Sequence, residues 1–288
     1  MPLKNVSQFR VRHYECDAYE HANYASYLRY MQEAAFEATE AAGWTVERMR
    51  KVNYHWIARE SRIVFHGWLQ YGDTVEVTTY LAYFRKIGTR RLYEFRKTDD
   101  PQAFAEGYTD WILVDSQTEK PSRIPQDVMD AFIPEGAAEP PAGRDRFPAV
   151  DPPGNGVYAA SYRVRWPDID PVRHLNNSEY LAYAEDCSVM ELRDAGWPAD
   201  RIRDSGFAIV AKSHRMEYLQ PAVYGDTVEI STWKYDSNAG SYRQYYLFRR
   251  PSDGALLARI DSQWAAVALT DWTPCSLPPA FPAGVRCD

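Results

Sequence analysis

The chain has 288 residues, 45% of them hydrophobic, enough to bury a sizeable core in one large or two ordinary domains. Its 33 Lys and Arg against 40 Asp and Glu give a formal net charge of -7, so it offers no basic face of the kind that nucleic acid or an anionic membrane surface requires. The apolar runs FAIVA and WILV are far shorter than a bilayer span and MPLKNVSQFRVRHYE has no apolar signal core, which leads us to expect no membrane span and a cytoplasmic location.

In chain order, FRVRHY at 9–14 alternates as a short strand and runs into a polar turn. SYLRYMQEAAFEATEAAG at 26–43 repeats apolar residues at three and four, the pattern of a helix, and Gly43 suits its C-terminal end. TVERMRKV reads as a shorter helix. YHWIARESRIVFHGW, DTVEVTTYLAYFR, TRRLYEFRKT and QAFAEGYTDWILVDS then read as strands, rich in β-branched and aromatic residues. PEGAAEPPAGRDRFPAVDPPGNG at 134–156 is too rich in Pro and Gly for helix or ladder and reads as a linker.

Beyond the linker the same elements recur at a constant offset of 153. HYECDAYEHANYASYLRY at 13–30 lies against WPDIDPVRHLNNSEYLAY at 166–183, AGW against AGW, and YGDTVE at 71–76 against YGDTVE at 224–229. About thirty of roughly a hundred aligned positions are identical, so the chain is a fused duplicate. The second copy opens on YRVRW, continues through the helical EYLAYAEDCSVMELRDAG to Gly196, and places Pro198 at the start of its short helix. The expected domains are 1–133 and 157–288, joined by 134–156. Each is an α+β unit with one long helix wrapped by a curved antiparallel sheet.

A strand, then E-x-D or D-x-D, then His, Asn, a helix opening on Tyr-Leu and a later GD before a strand resemble the hotdog-fold acyl thioesterases. The likeness is to the 4-hydroxybenzoyl-CoA thioesterase-like branch and to acyl-ACP thioesterases built as double hotdogs. DIDPVRHLNN resembles their D-L-D-x-N-x-H-x-N-N segment, which implies equivalents at Asp170, His174, Asn176 and Asn177. It departs at Val172, where that family carries an asparagine. ECDAYEHANY resembles the E-D-T-D segment of small acyl-CoA thioesterases, with Asp17 at the place of their essential carboxylate. The resemblance implies a tandem double hotdog hydrolysing an acyl-CoA or acyl carrier protein thioester, as a monomeric pseudo-dimer or an oligomer of such chains. The alternatives are a hotdog dehydratase or hydratase, or a non-catalytic acyl-thioester-binding protein.

The residues fit that chemistry. A thiolate leaves readily because its conjugate acid has a pKa of about 8.5, so the protein must activate water or attack directly, and must stabilise an oxyanion. Asp170 and Asp17 are the candidate carboxylates, with His174 and His21 in the turn that follows them. Helix-start amides around Asn177 and Tyr24 are the candidate oxyanion donors. Asn176 and Asn23 stand where they could touch substrate or cap the helix. Glu15 and Asp168 are expected to be solvated or salt-bridged, as are Glu33 and Asp186 on the helix, and Glu217 lies in the region of a further family carboxylate.

Arg85-Lys86, Arg90-Arg91, Arg96-Lys97 and Arg249-Arg250 could meet CoA phosphates or an acidic carrier, or simply be solvated. Cys16, Cys187, Cys275 and Cys287 show no metal-ligand spacing and read as reduced thiols, Cys16 as a small buried hydrophobe. His13, His55, His66 and His214 have no partners at a site-like spacing. No metal and no cofactor are expected.

Overall fold

A computed structural model describes residues 2–98, 100–133, 138–143 and 145–282. The chain divides into two compact units, residues 1–146 and 147–288, a boundary that falls inside the Pro/Gly-rich 134–156 segment. Among the described residues no helix is long and apolar enough to cross a membrane.

Unit 1 comprises β1 (Asn5–Arg10), α1 (Tyr24–Ala41), α2 (Val46–Lys51), β2 (Tyr54–Phe65), β3 (Thr74–Phe84), β4 (Gly88–Lys97), β5 (Ala103–Asp115), β6 (Lys120–Pro121) and α3 (Gln126–Phe132). Its five main strands pair antiparallel in the order β1-β3-β4-β5-β2, with β6 on β5. The alternating buried positions of β3 and β4, Val75, Val77, Leu81, Tyr93 and Phe95, line the face on which α1 packs through Tyr27, Met31, Ala34 and Ala38.

Unit 2 repeats this plan with β7 (Tyr158–Arg163), α4 (Asn177–Asp194), α5 (Ala199–Asp204), β8 (Phe207–Tyr218), β9 (Thr227–Tyr235), β10 (Ser241–Arg250) and β11 (Ala255–Ala268). Its order is β7-β9-β10-β11-β8, again antiparallel. The bounds of β7, α4, α5, β8 and β10 are those of β1, α1, α2, β2 and β4 shifted by 153. One long helix against a five-stranded antiparallel sheet, made twice, is the tandem double hotdog expected.

The repeat extends to the joints. Gly43 (φ 78°) and Gly196 (φ 81°) follow the long helices in the left-handed region, where a Cβ would be strained. The chain then folds back so that Trp44 N and Trp197 N donate to Thr39 O and Leu192 O. The guanidinium groups of Arg48 and Arg201 cover the two indoles at 3.8 and 4.2 Å.

Three differences from the sequence reading have local causes. The first strand of each unit lies at Asn5–Arg10 and Tyr158–Arg163 rather than reaching 14 and 166. Val11 N and Val164 N leave the ladder to donate to Asp73 O and Asp226 O at 2.9 Å, and a single 3-10 turn follows at His13–Glu15 and Trp166–Asp168. Helix α3 was not anticipated; Val128 and Phe132 drop from it into a cluster with Trp44, Leu81 and Leu113. Cys16 is half-buried rather than buried, because its backbone forms an isolated bridge to Ala22 at the edge of the turn.

Where it is described, the 134–156 segment is anchored at two places. Arg85 donates to Pro141 O, and Phe147 is buried against Trp233 and Tyr245, whose hydroxyl donates to Pro148 O at 2.8 Å. Cys287 lies outside the described residues.

Candidate active site

Each unit builds the same turn between its first strand and its long helix. In unit 1, Asp17 Oδ1 accepts the amides of Tyr19 at 2.8 Å and His21 at 3.1 Å, while Asp17 N donates to His21 O and Glu20 N to Asp17 O. In unit 2, Asp170 Oδ1 accepts those of Val172 at 3.0 Å and His174 at 3.1 Å, with the same pair of backbone bonds. The loop closes only because Glu20 (φ 64°) and Arg173 (φ 67°) adopt the left-handed conformation. That is a cost of order 1–3 kcal/mol for a residue that is not glycine, and such strain gathers at functional sites. No glycine or asparagine marks either position, so the sequence carried no signal for it.

The aspartates therefore do hold the turn through one oxygen. For Asp17 the other oxygen, Oδ2, makes no hydrogen bond among the described residues. Desolvation raises the Asp17 carboxyl above its ordinary range, against the two amides and His21, which lower it. His21 is buried, stacks on Trp68 at 5.0 Å, and is pushed down by burial, so it is neutral at neutral pH. His174 is half-buried.

The helices begin seven residues after each aspartate, at Tyr24 and Asn177. Asn23 Oδ1 accepts from Ser26 N and Oγ at 3.0 Å, and Asn176 Oδ1 accepts from Ser178 N at 3.0 Å and Oγ at 2.9 Å. Both asparagines thus cap, which fixes the first helical turn and the direction of the amides of Tyr24 and Asn177. The Tyr24 ring leans on Phe65 at 5.0 Å, and Asn177 O accepts from Tyr218 Oη at 3.2 Å.

Two buttresses hold each turn against its helix; the ion pairs of Glu15 and Asp168 are one of the two alternatives expected of them, whereas the tyrosine hydroxyls were not anticipated. Glu15 is buried, accepts from Arg12 N at 2.7 Å and from Tyr30 Oη at 2.7 Å, and pairs with the Arg12 guanidinium. Asp168 is equally buried, bridges Arg165 with both oxygens at 2.9 Å, and accepts from Tyr183 Oη at 2.6 Å. The first carboxylate of each E-x-D or D-x-D is thus salt-bridged, and the second faces the turn. Tyr27 Oη accepts from Leu69 N at 2.9 Å and Tyr180 Oη from Ala222 N at 3.2 Å, tying the helix to the strand connection. Recurrence of Tyr27, Tyr30, Tyr180 and Tyr183 at the 153 offset was the available signal for these contacts.

Other candidates lie apart from the turns. Glu33 and Asp186 are exposed on the helices. Glu217 is buried on β8 and receives Arg259 Nε at 2.7 Å across to β11. Most basic clusters are already engaged: Arg90 with Asp110, Arg96 with Glu94, Lys97 with Asp73, and Arg250 with Asp226 and Asp253. Cys187 faces the core with its thiol pushed up to about 12 by burial, far from thiolate chemistry. Among the described residues no group of three or more His, Cys, Asp or Glu is disposed to hold a metal ion.

Residues 2–132 match the acyl-ACP thioesterase N-terminal domain, and residues 164–285 match the thioesterase-like superfamily. The chain is 22% identical over 265 residues to the chloroplastic palmitoyl-acyl carrier protein thioesterase of Cuphea hookeriana, an alignment covering 89% of this chain and 61% of that protein. It is 24% identical over 184 residues to the protein of the same name from Arabidopsis thaliana, covering 61% and 45%. The chain thus spans about three fifths or less of the length of these curated relatives. A provisionally assigned oleoyl thioesterase from Lactobacillus plantarum superposes with a TM-score of 0.80 at 19% identity, covering 96% of this chain and 98% of that one. The 12:0-ACP thioesterase from Umbellularia californica superposes at 0.72 with 21% identity, covering 91% and 94%. At such identities the superpositions establish the fold.

Proposed function

The chain belongs to the hotdog-fold acyl thioesterase superfamily, and from that premise we propose that it hydrolyses acyl thioesters to the free acid and thiol. Acyl carrier protein is the carrier of choice, since that is the carrier in the names of the curated relatives. One observation carries the reading: a carboxylate held by two amides, a left-handed residue, a histidine and an asparagine-capped helix start stand in the same order in both units.

Asp170 takes a proton from water, and the water oxygen attacks the thioester carbonyl carbon. The carbonyl oxygen becomes an oxyanion beside the Asn177 amide, at the positive end of the α4 dipole, where a preorganised N–H stabilises the developing charge. Collapse of the tetrahedral species breaks the C–S bond, and the thiolate leaves and takes up the proton. His174 orients the water. Asp17, His21 and Tyr24 offer the equivalent set in unit 1, with Asn23 and Asn176 setting the helix starts.

As caps, Asn23 and Asn176 would serve the reaction through the helix-start amides they aim rather than by touching substrate. A carboxylate attacking directly would form an anhydride, and where water then attacks its aspartyl carbonyl a single turnover in 18O-water places label in the protein, which general-base catalysis never does. Incubation with acyl-ACPs and acyl-CoAs while following free thiol tests the reaction. Thiol release is expected, and hydration of an enoyl thioester with no thiol release would overturn the assignment.

A further inference from the structure

The internal repeat lets the surfaces around the two turns be compared position by position. Among the described residues, unit 2 exposes six large apolar side chains, and four of them lie at its turn: Trp166, Val172, Val223 and Tyr224. Trp166 is 72% exposed and Tyr224 61%, with their rings edge to face at 5.5 Å. Backbone hydrogen bonds stitch the segments that carry them into one surface. Leu175 N donates to Ala222 O at 2.8 Å, Asp170 N to His174 O at 2.9 Å, and Gly225 N to Val164 O at 3.1 Å. Exposed apolar side chains scattered singly mean little, but a cluster of them marks a contact site.

Unit 1 does not repeat this surface. The positions of Trp166, Val172 and Val223 hold His13, Tyr19 and Gln70 there, and only Tyr71 matches Tyr224. The charge differs in the same direction. Arg165 is taken by Asp168 and Asp226 by Arg250. Arg163 and Arg173 are exposed, and among the described residues their guanidinium groups have no acid partner and no hydrogen bond. Arg173 stands in the turn itself, where unit 1 carries Glu20. Exposed Trp and Tyr beside free Arg is the composition that interface centres favour over the rest of a protein surface.

We infer that this face of unit 2 is the docking surface for an acidic acyl carrier protein, with Trp166 and Tyr224 as its apolar centre and Arg163 and Arg173 meeting the carrier's carboxylates. The inference rests on the thioesterase reading and says how the carrier is recognised. Charge selects the occupant. The chain carries -7 overall, so an acidic partner is repelled at long range and is attracted only where free cations are gathered. A second copy of this equally acidic chain brings no dedicated complement to those cations. Asp170 lies between Trp166 and Arg173 in the turn, and the α4 start at Asn177 follows. A carrier seated there therefore delivers its thioester to the groups that act on it.

The test offers one acyl group as the acyl-ACP, the acyl-CoA and the N-acetylcysteamine thioester to the wild type, Arg163→Glu and Trp166→His, the last installing the residue of unit 1. Both variants are expected to raise KM for the acyl-ACP by about tenfold with kcat held, and to leave kcat/KM on the other two thioesters as in the wild type. An unchanged KM for the acyl-ACP would overturn the docking surface and leave the thioesterase reading standing. An equal loss on the acyl-CoA would overturn it too, because the patch would then read the arm that both carriers share. If no thioester is cleaved, the thioesterase reading falls and titration with unacylated acyl carrier protein decides. Tighter binding by the wild type than by Trp166→His supports the surface, and equal binding refutes it. Binding to anionic phospholipid vesicles that Trp166→His abolishes, or a dimer that it dissolves, would give the patch another occupant and overturn the carrier. A measurement on the wild type alone decides even if neither variant folds. Its KM for the acyl-ACP should rise with added salt while that for the N-acetylcysteamine thioester stays flat, and two flat profiles would contradict the inference.

Discussion

Asp17 Oδ1 accepts the amide of His21 at 3.1 Å, the same distance at which Asp170 holds that of His174. Asparagine keeps this acceptor and loses only the charge, whereas alanine loses the turn. Asp17→Asn is therefore expected to unfold at no lower urea concentration than wild type, and Asp17→Ala at a lower one, by about 1 kcal/mol. The pH dependence has a definite sign. Because burial raises the Asp17 carboxyl, its contribution to stability is fully present below the ordinary aspartate range and is lost as pH rises through the raised value. Asp17→Asn should accordingly match or exceed the wild type near neutrality. A clear loss of stability there would show that the ionised group is needed for folding.

Tyr180 Oη accepts the otherwise buried amide of Ala222, as Tyr27 does that of Leu69. Phenylalanine at either site keeps the ring packing and strands one amide. Each substitution should lower the unfolding free energy by about 1–3 kcal/mol, read from denaturant midpoints. A change of only a few tenths would mean that water replaces the hydroxyl.

Lys234 and Glu191 are an ion pair with side chains 3% and 14% exposed, and unit 1 shows what can stand in their place: Leu81 and Ala38. Removing Glu191 alone, as Ala, should cost about 3–5 kcal/mol because the lysine is left buried and unpaired. The double variant Glu191→Ala with Lys234→Leu should recover most of that loss. Thermodynamic additivity of the two single changes would contradict the pairing.

His214 is fully buried with Nδ1 2.8 Å from Ser262 Oγ, and burial pushes it down to about 3. A group depressed in the folded state contributes stability that is present above its unfolded pKa of about 6.5 and is lost as pH falls. Acid titration should thus destabilise the wild type by about 1.4 kcal/mol more per pH unit below 6.5 than it does His214→Gln. Parallel curves would show that the ring accepts a proton in place.

The duplication made most of the fold legible. A constant offset located both long helices, their glycine ends and the strands of both sheets, because those elements rest on periodicities that two copies state twice. Helix α3 escaped because QDVMDAF is too short for a period and has no counterpart in the aligned second copy. At the site, the order Asp, His, Asn, helix was readable. The left-handed residues Glu20 and Arg173 were not, since charged side chains give no hint of positive φ. Arg91 was read together with Arg90 as a surface pair. Only the alternation along β4 separates them, turning Arg90 toward Asp110 and Arg91 into the core.

The most direct measurement is thiol release from a long-chain acyl-ACP by wild type, Asp170→Asn and the doubly substituted Asp17→Asn, Asp170→Asn protein, all folded as judged by circular dichroism. General base loss is expected to lower kcat for Asp170→Asn by about 10²–10⁴-fold, and the double variant should be slower still or equal. Full wild-type turnover by Asp170→Asn and by the double variant would contradict a carboxylate mechanism at these turns.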